Sequence, residues 1–326
     1  MGPNGAGKTN LLEALHLGTQ GFSPRTRTDA QLVRFGQMAA RVELHGARAG
    51  VPLELRVTLR LGEAKKASLN GSPLGAAELL RSQVSTLVFT PDRLAVIKGG
   101  PAARRAYFDR VVGRLSPARA AVSAEYAAAI AQRNAALRRV AGGFSSEDAL
   151  APWTERVAEL GALLVDARAE AVGDLAPRFV ERADELGLPN GRLEYAGQHP
   201  TVEALEARLA ADLERGITGL GPHLDDVVVA SGARELRAFG SQGEQRLAVL
   251  ALLLAEAELL AERGPAPPLL LFDDVLSELD ERRRGILAER IRAGGGQTFV
   301  TATSAGALPA DPDQLIEVTP GAARVA

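Results

Sequence analysis

Cysteine is absent from the 326 residues, which excludes disulfides and thiolate metal sites. The four histidines are scattered and form no cluster at metal-ligand spacing. No apolar run approaches the roughly 18 residues that a membrane-spanning helix requires. The longest, around Leu247 to Leu254, lies in a stretch that reads as amphipathic. A charged-then-apolar leader is also missing, so a cytoplasmic protein without a membrane partner is expected. Charge of one sign is lacking too: the net charge is −2 at pH 7. Any affinity for nucleic acid must then come from local basic patches. What remains, 46% apolar and 24% charged residues, describes an ordinary globular protein. The length exceeds what one compact core usually holds, so two lobes are expected.

Residues 2 to 9 read Gly-Pro-Asn-Gly-Ala-Gly-Lys-Thr, a complete phosphate-binding loop. Gly2, Pro3, Asn4, Gly5, Ala6 and Gly7 supply a backbone that can curl its N–H groups around phosphate oxygens. Lys8 reaches the β/γ-phosphates and the Thr9 hydroxyl ligates Mg²⁺. The helix that starts here aims its positive end at the same anion. A glycine-rich turn that matches by chance is the bland alternative. Such a loop follows a buried strand, and a single residue precedes this one. The expectation is a late start or a fragment, with upstream in-frame DNA encoding the missing strands.

Thr9 to about Leu17 reads as the helix after the loop. Leu53 to Leu61 alternates strictly and reads as a half-buried strand, with a tight turn at Asn70-Gly71 after it. Ser85 to Phe89 reads as a further strand, stopped by Pro91. From about Ala102 to Arg215 the texture is Ala/Leu/Arg/Glu with helical spacing, broken at Gly142-Gly143 and Pro189-Asn190-Gly191. Strands are then expected at Asp225 to Val229, Glu235 to Phe239, Leu269 to Phe272 and Thr298 to Thr301. Apolar-faced helices are expected at Gly243 to Glu262 and Asp280 to Ile291. Both chain ends therefore build one α/β lobe, residues 1–101 with 216–326, into which a helical lobe, residues 102–215, is inserted.

Two further motifs carry chemistry. Leu269-Leu270-Leu271-Phe272-Asp273-Asp274 is a buried strand ending in paired carboxylates. Asp273 suits the Mg²⁺ shell, and Asp274 can orient or deprotonate an attacking water. A core strand ending in a solvated acidic turn is the alternative. Ser241-Gln242-Gly243-Glu244-Gln245 precedes a long helix and offers a hydroxyl, free N–H groups and a positive dipole end. Taken alone, that pentapeptide is equally an ordinary N-cap.

The order of loop, serine–glycine signature, acidic strand and Ser277-Glu278-Leu279-Asp280 resembles the ABC ATPases. The resemblance implies a fold, an ABC-type P-loop ATPase head with an inserted helical lobe. It also implies that Ser241, Gln242 and Gly243 close on the γ-phosphate held by a second subunit. One chain carries one loop and one signature, so two chains complete two composite sites. Thr301-Ala302-Thr303 stands where many relatives place a γ-phosphate-sensing histidine. Further motifs narrow the likeness: Ser23-Pro24-Arg25-Thr26, Leu32-Val33-Arg34-Phe35-Gly36, Val88 to Leu94, Lys98-Gly99-Gly100-Pro101, Arg104 to Asp109, Gln132 to Leu137 and Gly221 to Asp226. In order and spacing these are similar to the RecF family of bacterial recombination mediators. The family usually shows arginine where Leu224 stands and often an acidic residue in the segment at Arg93.

That resemblance implies an ATP- and Mg²⁺-dependent homodimer with Lys8 and Asp274 as catalytic groups and slow hydrolysis. It would bind DNA where duplex meets a single-stranded gap, with RecR and RecO as partners in loading a recombinase. Lys98, Arg104 and Arg105 could hold DNA phosphates or form a solvated face. Arg25, Arg27 and Arg34 are similarly ambiguous, whereas Arg133, Arg138 and Arg139 read as surface charges. Rival readings are a non-catalytic DNA-binding scaffold and a transporter's energy-coupling subunit.

Overall fold

The structure is a computed structural model that describes every residue except Arg27 and Ala49, with Pro91 and Asp92 described by backbone alone. The chain forms two compact units, Met1–Arg93 with Leu253–Ala326, and Leu94–Leu252.

The first unit opens with α1 (Lys8–Gln20), which Gly21 ends in a left-handed cap with its N–H on the Leu17 carbonyl. Four antiparallel strands follow, β1 (Ala39–Arg48), β2 (Val51–Arg60), β3 (Lys66–Leu69) and β4 (Ser72–Leu74), in that spatial order. The alternation of β2 puts Leu55, Val57 and Leu59 on one face, buried against Leu17, Ala77 and Leu80. Asn70 and Gly71 both have positive φ, 48° and 79°, and turn β3 into β4. Next comes β5 (Thr86–Phe89), buried at every position.

The second unit holds α2 (Ala95–Lys98), α3 (Pro101–Leu115), α4 (Val122–Ala141) and α5 (Ala151–Glu185). It continues with β6 (Gly191–Tyr195), α6 (Val202–Glu206), α7 (Leu209–Arg215), β7 (Val227–Ser231), β8 (Arg234–Glu235) and α8 (Leu236–Phe239). Tyr126 and Ala129 of α4 pack with Val157, Leu160 and Leu164 of α5. The break at Pro189 to Gly191 separates α5 from β6, which pairs antiparallel with β7. Glu235 to Phe239 is not the expected strand. Leu236 and Phe239 stand three apart, and the Gly240 N–H closes a helical turn on the Leu236 carbonyl.

Helix α9 (Gln242–Arg263) runs across the division between the units. It also departs from expectation, because every residue from Leu247 to Ala257 is buried. The middle of the helix is thus buried all round, while its first residues and its last, Glu262 and Arg263, are exposed.

The first unit resumes with β9 (Leu269–Phe272), α10 (Glu281–Ala293), β10 (Thr298–Val300), and a hairpin of β11 (Ile316–Thr319) and β12 (Ala322–Val325). Strands β10, β9 and β5 form a parallel sheet in that order. Burial on both faces explains why β9, and β5 after Thr86, are apolar runs without alternation. Leu12 of α1 packs on Val88 and Leu271, so the loop-bearing helix lies against the strand that ends in the acidic pair. Ahead of α1, the Gly2 N–H reaches the Ala302 carbonyl and the Met1 carbonyl accepts the Val318 N–H. Among the described residues no helix is long and apolar enough to cross a membrane.

Candidate nucleotide-binding site

The loop's geometry follows from its glycines. Gly5 and Gly7 hold φ of 79° and 106°, and no neighbour lies within 4 Å of a Cβ built there. The restriction is therefore backbone conformation, which a side chain rarely tolerates. Gly7 caps α1, whose first turn carries no acidic residue, so its positive end is not neutralised. The Lys8 ammonium folds back on the loop and donates to the carbonyls of Gly2 (2.7 Å) and Pro3 (3.0 Å). The Thr9 hydroxyl lies 3.0 and 2.9 Å from the two carboxylate oxygens of Asp273. These residues, 264 positions apart, are brought together.

Asp273 is buried at the end of β9, with its N–H on the Phe89 carbonyl at 2.9 Å. Asp274 is exposed and adopts a left-handed conformation, φ 54° and ψ 24°. Its N–H donates to the Thr301 hydroxyl (2.9 Å), which in turn donates to Asp273 Oδ1 (3.0 Å). Sequence reading placed Thr301 after the last strand without seeing this bridge. Its signal is a hydroxyl directly following a short apolar strand. The Ser277 hydroxyl donates to the Asp274 carbonyl, and Asp280 caps α10 through the Arg283 N–H.

The donor set fits phosphate with a hard divalent cation. Free amides and an ammonium suit phosphate oxygens, and Mg²⁺ is usually held by one or two protein oxygens plus the substrate phosphates. Thr9 and Asp273 are oxygen donors of that kind.

The Ser23 motif proves to be anchored to the loop's own helix. Its hydroxyl donates to Glu13 on α1 and accepts the N–H groups of Arg25 and Thr26 at 3.0 Å. Arg25 also pairs with Glu13 (3.4 Å). Glu13 was missed in the sequence; an acidic residue one turn after the loop threonine is its only mark there. Arg27 lies outside the described residues, and Arg34 is exposed.

In the second unit, Ser241, Gln242 and Gly243 are exposed at the start of α9. Ser241 and Glu244 form a reciprocal capping box: the Glu244 N–H donates to the serine hydroxyl (3.2 Å), and the glutamate accepts the Ser241 N–H (2.8 Å). Arg234 holds the same carboxylate at 2.9 Å. The Ser241 amide and hydroxyl, with Arg234, keep the Glu244 carboxyl below its usual range.

Two basic residues are not where the sequence put them. Arg104 is 2% exposed and grips Asp226 through Nε (2.7 Å) and Nη2 (2.5 Å), with Nη1 on the Ile97 and Gly99 carbonyls. It is neither a solvated face nor free to hold DNA. Arg133 is fully buried, bonded to Asp212 and Thr218, each at 2.8 Å, and to Thr154. Arg105 is half-buried and donates to the Asp225 carbonyl at 2.7 Å. Lys98, Arg138 and Arg139 are exposed. The acidic end of the Gly221 to Asp226 motif thus organises the core of the second unit, while Leu224 points outward, 58% exposed.

Comparison with known proteins agrees with this arrangement. The RecF/RecN/SMC N terminal domain family matches residues 1–325. A protein of Heliobacterium modesticaldum named DNA replication and repair protein RecF is 33% identical over 328 residues, covering 97% of this chain and 88% of that one. Its namesake in Anaeromyxobacter sp. strain K is 38% identical over 322 residues, covering 93% and 85%. The chain belongs to the RecF family. The solved structure of the recombination mediator protein RecF–ATP in the RecFOR pathway superposes with a TM-score of 0.87 at 28% identity, covering 100% of this chain and 90% of that one. An Smc head domain of Pyrococcus furiosus gives 0.58 at 18% identity, covering 100% and 88%, a likeness of fold. The family's fold is the ABC-type ATPase head shared by RecF and SMC proteins.

Proposed function

We propose that this chain is an ATP-dependent DNA-binding protein of recombinational repair and replication, whose two copies clamp ATP and part after slow hydrolysis. The observation that carries the reading is the loop hydroxyl of Thr9 seated on the acidic-strand carboxylate of Asp273. In a family whose members are named for DNA replication and repair, and one of which is solved with ATP, that pairing is the core of a nucleotide site. The loop from Gly2 to Gly7 cradles the phosphates through the N–H groups of Asn4, Gly5 and Gly7, since Pro3 has none and those of Gly2 and Ala6 are bonded to the Ala302 and Pro3 carbonyls. Lys8 exchanges its two loop carbonyls for β/γ-phosphate oxygens. Thr9 and Asp273 hold the cation, which when bound neutralises charge developing on the transferred phosphoryl. Asp274, exposed beside them, orients the attacking water and accepts its proton. Being one methylene shorter than glutamate, it reaches less far, which favours slow turnover.

The exposed start of α9 supplies the second half of the site to a facing copy. Ser241 presents its hydroxyl proton and Gly243 its amide at a helix end that favours anions. The family likeness and the RecFOR pathway named for its solved member support DNA at duplex–gap junctions, with RecR and RecO as partners in loading a recombinase. Sedimentation with and without Mg-ATP tests the reading. The wild type is expected to dimerise with nucleotide and Lys8→Ala to stay monomeric. A wild type that binds Mg-ATP yet remains a monomer would remove the clamp.

A further inference from the structure

We infer that Thr301 is a positioning residue of this site, fixing both acidic residues through one side-chain hydroxyl. The inference rests on the reading of the site as one for Mg-nucleotide. Thr301 directly follows β10 and is 7% exposed. Its N–H extends the parallel ladder to the Phe272 carbonyl at 2.9 Å, which docks it beside the end of β9. Its hydroxyl has one proton and two lone pairs, and both kinds are used. The proton goes to Asp273 Oδ1 at 3.0 Å, and a lone pair takes the Asp274 N–H at 2.9 Å.

Each bond constrains a different part of the chemistry. On Asp273, donors from Thr9 and Thr301 fix the plane of a buried carboxylate, so its lone pairs face a set direction. On Asp274, the bond holds a peptide N–H in a backbone region that residues with a Cβ seldom occupy. That conformation turns the amide inward and leaves the Asp274 side chain outside, where a water can be reached. The next residue extends the linkage, because the Ala302 carbonyl accepts the N–H of Gly2 in the phosphate loop at 3.3 Å. Two consecutive residues after β10 thereby tie together the loop, the cation carboxylate and the base. Thr301 acts through the carboxylates and contacts no phosphate itself.

Thr301→Val keeps the shape and removes the hydroxyl, leaving the Asp274 N–H without its partner; Thr301→Ser restores it. Three readouts separate positioning from mere structure. In ligand-free protein, hydrogen exchange of the peptide containing Asp274 should quicken in Thr301→Val and return in Thr301→Ser. Binding of a fluorescent ATP analogue in EDTA should stay near wild type. The Mg²⁺ concentration for half-maximal enhancement of that binding should rise about tenfold in the valine variant and recover in the serine variant, as for loss of a partner that orients a metal ligand. Turnover should fall in parallel. Should the valine variant not fold, Thr301→Ala carries the same comparison. Wild-type exchange and Mg²⁺ dependence in the hydroxyl-free variant overturn the role of Thr301 alone. A wild type that binds no nucleotide overturns the reading of the site and this role with it.

Discussion

Arg133 and Asp212 are 1% and 2% exposed at their side chains, so neither charge has water to fall back on. Removing one member strands the other, a loss of about 3–5 kcal/mol. Arg133→Met should therefore lower the urea midpoint sharply, and Arg133→Met with Asp212→Leu should recover much of the loss. Equal melts for wild type and Arg133→Met would mean the pair is solvated. His223 gives a second handle at this scale. Its Nδ1 accepts from the Tyr126 hydroxyl at 2.8 Å and its Nε2–H donates to the Thr218 carbonyl at 3.0 Å, an arrangement that suits the neutral ring. Burial, aided by Arg105 nearby, lowers its pKa against the opposing pull of the Thr218 carbonyl and the acids Asp225 and Asp212. Unfolded histidine takes up a proton near pH ~6.5. Below that value the unfolded chain binds a proton that the folded chain refuses, so stability from this group falls as pH drops toward the lowered folded pKa; above it the group contributes no slope. Urea midpoints between pH 7.5 and 5.5 should decline less in His223→Gln than in wild type, and identical slopes would count against the argument.

Helix α9 begins with a conflict. Glu244 stabilises the helix by capping, yet it places a carboxylate at the end proposed to receive a phosphate. Glu244→Gln retains a capping acceptor and removes the charge, worth about 0.3–1 kcal/mol at a helix end. ATP-driven association should tighten a few-fold in that variant, read by sedimentation at fixed salt, while Ser241→Ala should weaken it. Tighter association in Ser241→Ala would contradict the assignment. Elements like these were legible in the sequence to different degrees, for physical reasons. The loop is fixed by backbone rules written in glycines, and β9 by an apolar run too short for a helix, so both were readable. Helix α8 was misread because one helical turn and a short strand both space apolar residues closely. Strand β6 hid in helical composition because its partner, β7, is distant in sequence. Arg104 and Arg133 look like surface charges until folding brings Asp226 and Asp212 to them across 122 and 79 residues. Long-range pairing leaves no local trace, and the bridge that the Thr301 hydroxyl makes to Asp273 and Asp274 escaped notice for the same reason.

At the scale of the whole molecule the net charge of −2 offers DNA no general attraction, so binding must depend on local exposed cations and weaken with salt in proportion to the phosphates they contact. Burial removes Arg104 and Arg133 from the candidates, and the bond to the Asp225 carbonyl occupies Arg105. Lys98 remains: it is exposed at the end of α2, and Gly99-Gly100 separates it from α3, whose first turn carries no acidic residue. A cation beside a helix start suits a phosphate backbone. Lys98→Glu should therefore reduce the salt slope of gapped-duplex binding by about one unit, as expected for one phosphate contact. Arg138→Glu, on the exposed end of α4, should leave the slope as it was. Arg104→Glu should act through the fold, lowering the melting temperature and the amount of active protein without changing the slope of what remains. A Lys98→Glu slope equal to wild type, with Arg138→Glu carrying the change, would move the DNA path from α2 to α4.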